Sequence, residues 1–227
     1  MANPQLSIII PMYNEASAIA STLAALAPLR ARGVEVIVAD GGSSDESRAL
    51  AGALADAVLC TPRGRAVQMN AGAAAARGAV LLFLHADTGL PDGADCLIAA
   101  GMARSGKLWG RFDVRIVGKP IMLRVIAAMM NLRSRLSGIA TGDQAIFVRR
   151  DTFLAVGGFP IQPLMEDIAL SQRLHKHSAP LCLRQRVSTS GRRWESCGVW
   201  STIWLMWRLR LRYWLGVPAD TLAKEYR

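Results

Sequence analysis

The stretch LLFLHADTGL, residues 81–90, ends a run of bulky apolar residues in His85, Ala86, Asp87 and Thr88, with Gly89 and Pro91 closing it. Leu81 to Leu84 has the pattern of a strand buried on both faces. Asp87 therefore arrives at the carboxyl end of a buried strand, where a carboxylate either caps a turn before Gly89 or faces a ligand. Two more polar loops follow comparable apolar runs: Pro11 to Glu15 after LSIII, and Asp40 to Asp45 after VEVIVA. Further on, Glu166 and Asp167 open the helical pattern EDIALSQRLHKHS. Neighbours on a helix point about 100° apart, so the two acids need not share a role, and both also complement the positive end of a helix dipole.

These residues need elements to hold them. LSIIIP reads as a short buried strand, and NEASAIASTLAALAPL as a helix ending near Pro28. VEVIVAD is a second strand, SRALAGALA starts a helix, and AVLC is a third strand. GRAVQMNAGAAAARG is a loop leading into an alanine-rich helix, followed by the strand AVLLFLHAD. This alternation predicts a mainly parallel sheet with helices on both faces. Ligands of such sheets bind beyond the carboxyl ends of the strands, where all three polar loops would lie. After residue 100 the alternation breaks. LWGRFDVRIVG reads as a strand and IMLRVIAAMMNLRSRL as a helix. DQAIFVRRDTFLAVGGF reads as a strand, a short helix and a turn at Gly157 and Gly158, and Pro180 to Val187 as a last strand. No Gly/Ser/Pro linker or solenoid-length repeat divides the 227 residues.

A hydrophobic fraction of 52% against 19% charged residues supports a sizeable core and argues against disorder. The net charge of +10 points to an anionic partner: nucleic acid, an acidic membrane surface or a phosphorylated substrate. No interleaved basic and aromatic module and no recognition helix is present, so nucleic acid is not expected. Cys60, Cys96, Cys182 and Cys197 form no C-x-x-C pair, which argues against zinc. With no basic segment and long apolar core at the start, no signal peptide is expected. The thiols are then reduced and the location cytoplasmic, with the inner face of the membrane as a further site.

The segment VWSTIWLMWRLRLRYWLGV, residues 199–217, places Trp200, Ile203, Trp204, Trp207, Leu211 and Trp214 on one helical stripe. Arg208 and Arg212 lie together on another side. Such a helix either lies in a membrane interface, giving peripheral contact through Trp200 to Trp214, or packs on the rest of the chain with its arginines at the rim. AAMMNLRSRL, residues 127–136, offers a second apolar and basic surface.

Taken in order, IIIPMYNE, VADGGSSDES, GRAVQMNAGAAAARG, LLFLHADT, TGDQAIFVRR, GGFP…LMEDIALSQRL and SGRRW resemble the family 2 glycosyltransferases, whose fold is called GT-A. The resemblance runs over nearly the whole chain. It is nearest to a small bacterial subgroup labelled as arsenosugar-biosynthesis or selenium-domain-associated transferases. It implies one catalytic domain over residues 1–227: a nucleotide-binding half (1–100), an acceptor-side half (101–195) and a C-terminal amphipathic segment (196–227). It also implies transfer of a sugar from a nucleotide donor, usually UDP-linked, to an acceptor, with inversion at the anomeric carbon.

The resemblance assigns roles residue by residue. The family's D-x-D motif falls on His85-Ala86-Asp87, with His in place of the first Asp. Asp87 is then the ligand of a divalent metal, Mn²⁺ or Mg²⁺, that bridges the diphosphate; such metals take carboxylate and water ligands readily. His85 would reach the ribose or the metal. Pro11, Tyr13, Asn14, Glu15 and Asp40 would hold the nucleoside, Asp40 by accepting from uracil N–H. Arg65 would pair with phosphate and Asn70 would contact base or ribose. Asp167 falls on the catalytic base, beside Glu166; an Asp carboxylate is ordinarily ionised at neutral pH and serves as general base within hydrogen-bond reach of the acceptor. Asp143 and Gln144 match a segment near donor sugar and acceptor, and Trp109, Gly110 and Arg111 would line the sugar pocket. Arg192 or Arg193 would contact the diphosphate and Trp194 would pack over the acceptor; Ser190, where processive relatives carry Gln, favours a single transfer. Two rival readings are a nucleotidyltransferase and a non-catalytic protein that binds a membrane surface or a nucleotide sugar.

Overall fold

The computed structural model describes residues 4–226. In chain order its first half runs β1 (Leu6–Met12), α1 (Ala16–Ala25), α2 (Ala27–Ala31), β2 (Glu35–Asp40), α3 (Ser47–Leu54), β3 (Ala57–Cys60), α4 (Arg65–Ala75), β4 (Val80–Phe83), β5 (Thr88–Gly89) and α5 (Ala94–Ser105). Then follow β6 (Trp109–Val117), α6 (Met122–Ser137), a 3-10 turn (Gly142–Gln144), β7 (Phe147–Arg149), α7 (Arg150–Ala155), α8 (Glu166–His175), β8 (Leu181–Ser190), α9 (Arg192–Ser196), α10 (Val199–Trp214) and α11 (Ala219–Tyr226).

The eight strands form one sheet in the order β3-β2-β1-β4-β7-β6-β8-β5. β1 to β4 are parallel. β7 runs antiparallel to β4, so its amino end shares an edge with the carboxyl ends of β1, β2 and β4. β6 meets β7 only through Trp109 and Gly110, then continues beside β8 past that edge. β5 pairs antiparallel with β8, Thr88 opposite Thr189. The sheet thus curls around its own carboxyl edge.

Strand alternation sorts the core into two layers. Ile8, Ile10, Val36, Val38, Leu82 and Leu84 pack on one face. Ile9, Ile37, Leu81 and Phe83 pack on the other with Met69 and Ala73 of α4. α4 lies so close to the sheet that a Cβ at Gly72 would stand 2.4 Å from the Ile9 side chain. That glycine is required by space rather than by backbone conformation.

The expected elements are present with local differences. The first helix breaks at Leu26, and Pro28 sits in the first turn of α2 rather than ending a helix; a first-turn proline loses no intrahelical bond. α4 begins directly at Arg65, without a long preceding loop. The two-residue strand β5 is too short to leave a periodic signal.

Candidate active site

The three polar loops meet at the carboxyl edge, where the first two latch to each other. The Asn14 side chain accepts the Ser44 N–H at 2.9 Å, and the Asn14 N–H donates to Ser43 Oγ at 2.9 Å. Asp40 is buried and accepts the Ser43 hydroxyl at 2.5 Å. Its carboxylate therefore orders the Gly41–Ser44 turn. Tyr13, at the same edge, is exposed and carries the Arg63 guanidinium 4.1 Å above its ring, a cation–π stack.

β5 explains how Asp87 acquires its setting. Its pairing with the end of β8 carries Arg192, just past that strand, across to the β4 loop. The Arg192 guanidinium then lies between two carboxylates, 3.0 Å from Glu15 and 3.2 Å from Asp87.

Deeper in, His85 Nδ1 stands 3.3 Å from Asp143, while His85 Nε2 is buried and makes no hydrogen bond among the described residues. A Cβ at Gly142 would meet that Nε2 at 2.5 Å, so any larger residue there would have to displace the His85 ring. The Gly142 N–H donates to Asp167 at 2.8 Å, fixing the acid against the 3-10 turn. Glu166, 2% exposed, faces Arg65 at 3.5 Å. Asn14, Ala145 and Met165 are the described non-glycine residues with left-handed backbones, at φ of 52°, 48° and 64°. All three flank this site, and such positions cost about 1–3 kcal/mol each and cluster at functional sites.

Burial pushes Asp143 up, but the His85 hydrogen bond and the charges of His85, Arg65 and Arg210 outweigh it, and its carboxyl sits below the ordinary range. Glu166 goes the other way: burial and the adjacent Asp167 charge raise it above its ordinary 4.5, against the opposing pull of Arg65. A raised carboxyl binds its proton more tightly folded than unfolded. It supports the fold below its ordinary value, and that support drains away as pH rises through the folded value. Glu166→Gln should therefore melt higher than the parent at pH 7, with the gap closing toward pH 4 in scanning calorimetry. Each kcal/mol corresponds to about 2–4 °C at this size. A lower melting temperature at neutral pH would mean that the Arg65 pair outweighs the burial cost.

A divalent metal held mainly by phosphates takes only one or two protein carboxylates. Among the described residues no three His, Cys, Asp or Glu side chains converge as a metal cage. Asp87, with Glu15 across the same guanidinium, fits a site that a diphosphate would complete.

The sequence profile described as "Glycosyl transferase family 2" matches residues 7–156. The chain belongs to this family. PGL/p-HBAD biosynthesis glycosyltransferases of Mycobacterium tuberculosis (strain H37Ra) and Mycobacterium bovis (BCG Pasteur) are 36% identical over 174 residues. The match covers 71% of this chain and 66% of theirs. These relatives do not carry the arsenosugar label. Among solved structures, S. aureus TarS (residues 1–349) in complex with UDP-GlcNAc is similar with a TM-score of 0.68 at 18% identity, over 82% of this chain and 58% of that one. The Pyrobaculum calidifontis mannosyltransferase PcManGT, in complex with GDP-Man and Mn²⁺, gives 0.63 at 20%, over 83% and 57%. The fold is thus the GT-A fold of family 2.

Within this family 2 chain, several residues expected at the donor have other occupations. Both ends of the Asn70 amide pair with the Phe159 backbone, at 2.8 and 3.0 Å, so Asn70 clamps the chain just after the Gly157–Gly158 turn. Gln144 is buried and caps its own 3-10 turn through the Thr141 N–H. Arg193 stacks 3.8 Å over Tyr226 and donates to its carbonyl, which leaves Arg192 as the arginine at the edge. Trp194 packs on the core. Trp109 and Arg111 are fully buried, and a Cβ at Gly110 would run into the Leu181 carbonyl at 2.3 Å, so this segment seals β6 to β8 instead of lining a sugar pocket. Ala86 is buried, its carbonyl accepting the Thr22 hydroxyl at 2.6 Å. Pro11 lies within β1, opposite Ala39 of β2.

Sequence reasoning overlooked Gln68 and Arg63. The Gln68 amide bridges the carbonyls of Met12 and Ala39 at 2.7 and 2.8 Å and ties the ends of β1 and β2 together beneath the site. A glutamine inside an alanine-rich helix carries no signal of that task.

Proposed function

We propose that the chain is a metal-dependent, inverting glycosyltransferase that moves a sugar from a UDP-linked donor to an acceptor hydroxyl. The observation that carries this reading is the placement of Asp87, Arg192 and Asp167 around one edge of a family 2 fold. In this reading Tyr13 and Asp40 frame the nucleoside, and Arg192 gives up its carboxylates to pair with the diphosphate. Asp87 holds the metal, which when bound neutralises charge on the departing diphosphate. Asp167 accepts the acceptor hydroxyl proton as the acceptor oxygen bonds to the anomeric carbon. The bond from that carbon to the diphosphate oxygen breaks, its electron pair leaving with UDP. Attack from the opposite face inverts the centre. The Gly142 N–H fixes one Asp167 oxygen at 2.8 Å and the Ile168 N–H the other at 2.7 Å, and each retains a lone pair for the proton. Calorimetric titration of UDP and UDP-sugars with and without Mn²⁺ tests the reading; a folded chain that binds no UDP species would sink it. The UDP-GlcNAc in TarS and the GDP-Man in the mannosyltransferase favour a nucleotide sugar over the substrates of a nucleotidyltransferase.

The acceptor side belongs to the same proposal. Trp200, Trp204, Trp207, Leu211 and Trp214 of α10 are exposed, and so are Val125, Met129, Leu132 and Leu136 of α6 and Ile121 just before it. The opposite side of α10, with Thr202 and Leu209, is the one that packs. A tryptophan stripe beside arginines suits an anionic bilayer interface, at the cytoplasmic face given four unpaired thiols. No helix among the described residues is long and apolar enough to cross a membrane. The chain should float with phosphatidylglycerol vesicles at low salt, and Trp204→Ser with Trp207→Ser should release it. Equal flotation of parent and double variant would refute the contact.

A further inference from the structure

Behind the first turn of α8 lies a solvent-open cavity of about 660 Å³, bordered by α6, α10 and the 216–219 turn. Ile168 lines it, next in sequence to Asp167, which faces the His85 side instead. The remaining walls are mostly apolar: Ile139, Tyr213 and Trp214, the last reaching the exposed stripe of α10. Two cations enter this apolar space, Arg133 from α6 and Arg210 from α10.

Neither arginine makes an ion pair among the described residues. Arg133 Nε and Nη2 are buried and form no hydrogen bond there. Burial and the like charges of Arg210 and Arg111 push Arg133 down to about 10, with only Asp167 opposing. Arg210 is lowered by burial too, against the pull of Asp167 and Asp143. Its neighbours Arg208 and Arg212 differ, since both are paired with Glu225. A partly buried cation without a partner is costly, and the Arg210 charge adds to that cost at Arg133. A volume of this size suits a small-molecule site with apolar walls and a few convergent polar groups.

We propose that this cavity holds the acceptor, which carries an anionic group, phosphate or carboxylate, paired with Arg133 and Arg210, and an apolar body lying along Ile139, Ile168, Tyr213 and Trp214. The assignment rests on Asp167 as the base: an acceptor anchored at Arg133 and Arg210, both close enough to feel the Asp167 charge, extends its hydroxyl round the first turn of α8 to that carboxylate on the His85 side. An anion there supplies both guanidinium groups with the bidentate partners they lack.

The test titrates the full chain, saturated with UDP, with n-octyl phosphate, octanoate and octanol. At least one octyl anion should bind tenfold or more tightly than octanol, and comparison of the two anions distinguishes phosphate from carboxylate. Arg133→Gln and Arg210→Gln should each weaken that anion at least tenfold, with the lysine variants in between. The same variants should titrate with UDP as the parent does. Octanol binding as tightly as both anions, or parent-like anion binding in folded glutamine variants, would overturn the proposal, and so would displacement of the anion by UDP. If Arg133→Gln does not fold, Arg210→Gln decides. Failure to bind UDP with anion binding intact would sink the UDP reading and leave the anionic pocket standing.

Discussion

Asp167→Asn is expected to lower sugar transfer by about 10²–10⁴-fold, the usual contribution of a positioned general base, while UDP affinity stays near the parental value. Asparagine retains an oxygen for the Gly142 N–H that Asp167 holds at 2.8 Å, so the 3-10 turn keeps its support. What it loses is the capacity to take a proton, together with the acceptor for the Ile168 N–H at 2.7 Å. Asp167→Ala differs, because it also releases the Gly142 N–H and the turn that presses on His85. Comparable losses of turnover in both variants, with UDP binding parental in the asparagine form, would establish proton removal as the role. Parental turnover in Asp167→Asn would remove Asp167 from the chemistry.

Asp87→Ala should abolish the part of UDP affinity that depends on Mn²⁺ and lower turnover by on the order of 10³, since metal stabilisation of a departing phosphate is worth several kcal/mol. The apo fold should survive, because Arg192 keeps its contact with Glu15 at 3.0 Å when the 3.2 Å contact with Asp87 is gone. UDP affinity that responds to Mn²⁺ equally in parent and variant would show that another group holds the metal. Arg192 is the control. If it exchanges its carboxylates for the diphosphate, Arg192→Ala should weaken UDP binding both with and without Mn²⁺, whereas Asp87→Ala should remove only the difference between the two.

Much of this site can be located from the chain alone. The apolar runs at Leu6–Met12, Glu35–Asp40 and Val80–Phe83 are strands, and the polar residues after them stand at one edge. Glu166 and Asp167 do open a helix, as their pattern implies. Less legible were the tasks of individual polar side chains. Asn70, Gln144 and Arg193 sit within motifs that imply ligand contact, yet each bonds the protein's own backbone. A buried polar group must find a partner, and a motif does not say whether that partner is a ligand or a carbonyl. The arginines of α10 make the same point. Periodicity grouped Arg208 with Arg212, but these two pair with Glu225, and Arg210 is the one that enters the cavity.

Local pattern determined what local physics controls. Period-two burial sorted Ile8 and Ile10 from Ile9, strand ends placed the loops, and helical spacing marked the tryptophan stripe. Tertiary structure alone decided the contacts whose partners lie far apart in the chain: Arg192 on Asp87, the Asp167 latch on Gly142, and the paired arginines of α6 and α10. The reason is physical. Hydrophobic burial acts on any residue of the right periodicity and is readable from neighbours. A hydrogen bond or ion pair forms only where two groups come within about 3 Å, and here that distance is set by the pairing of a two-residue strand with one a hundred residues away.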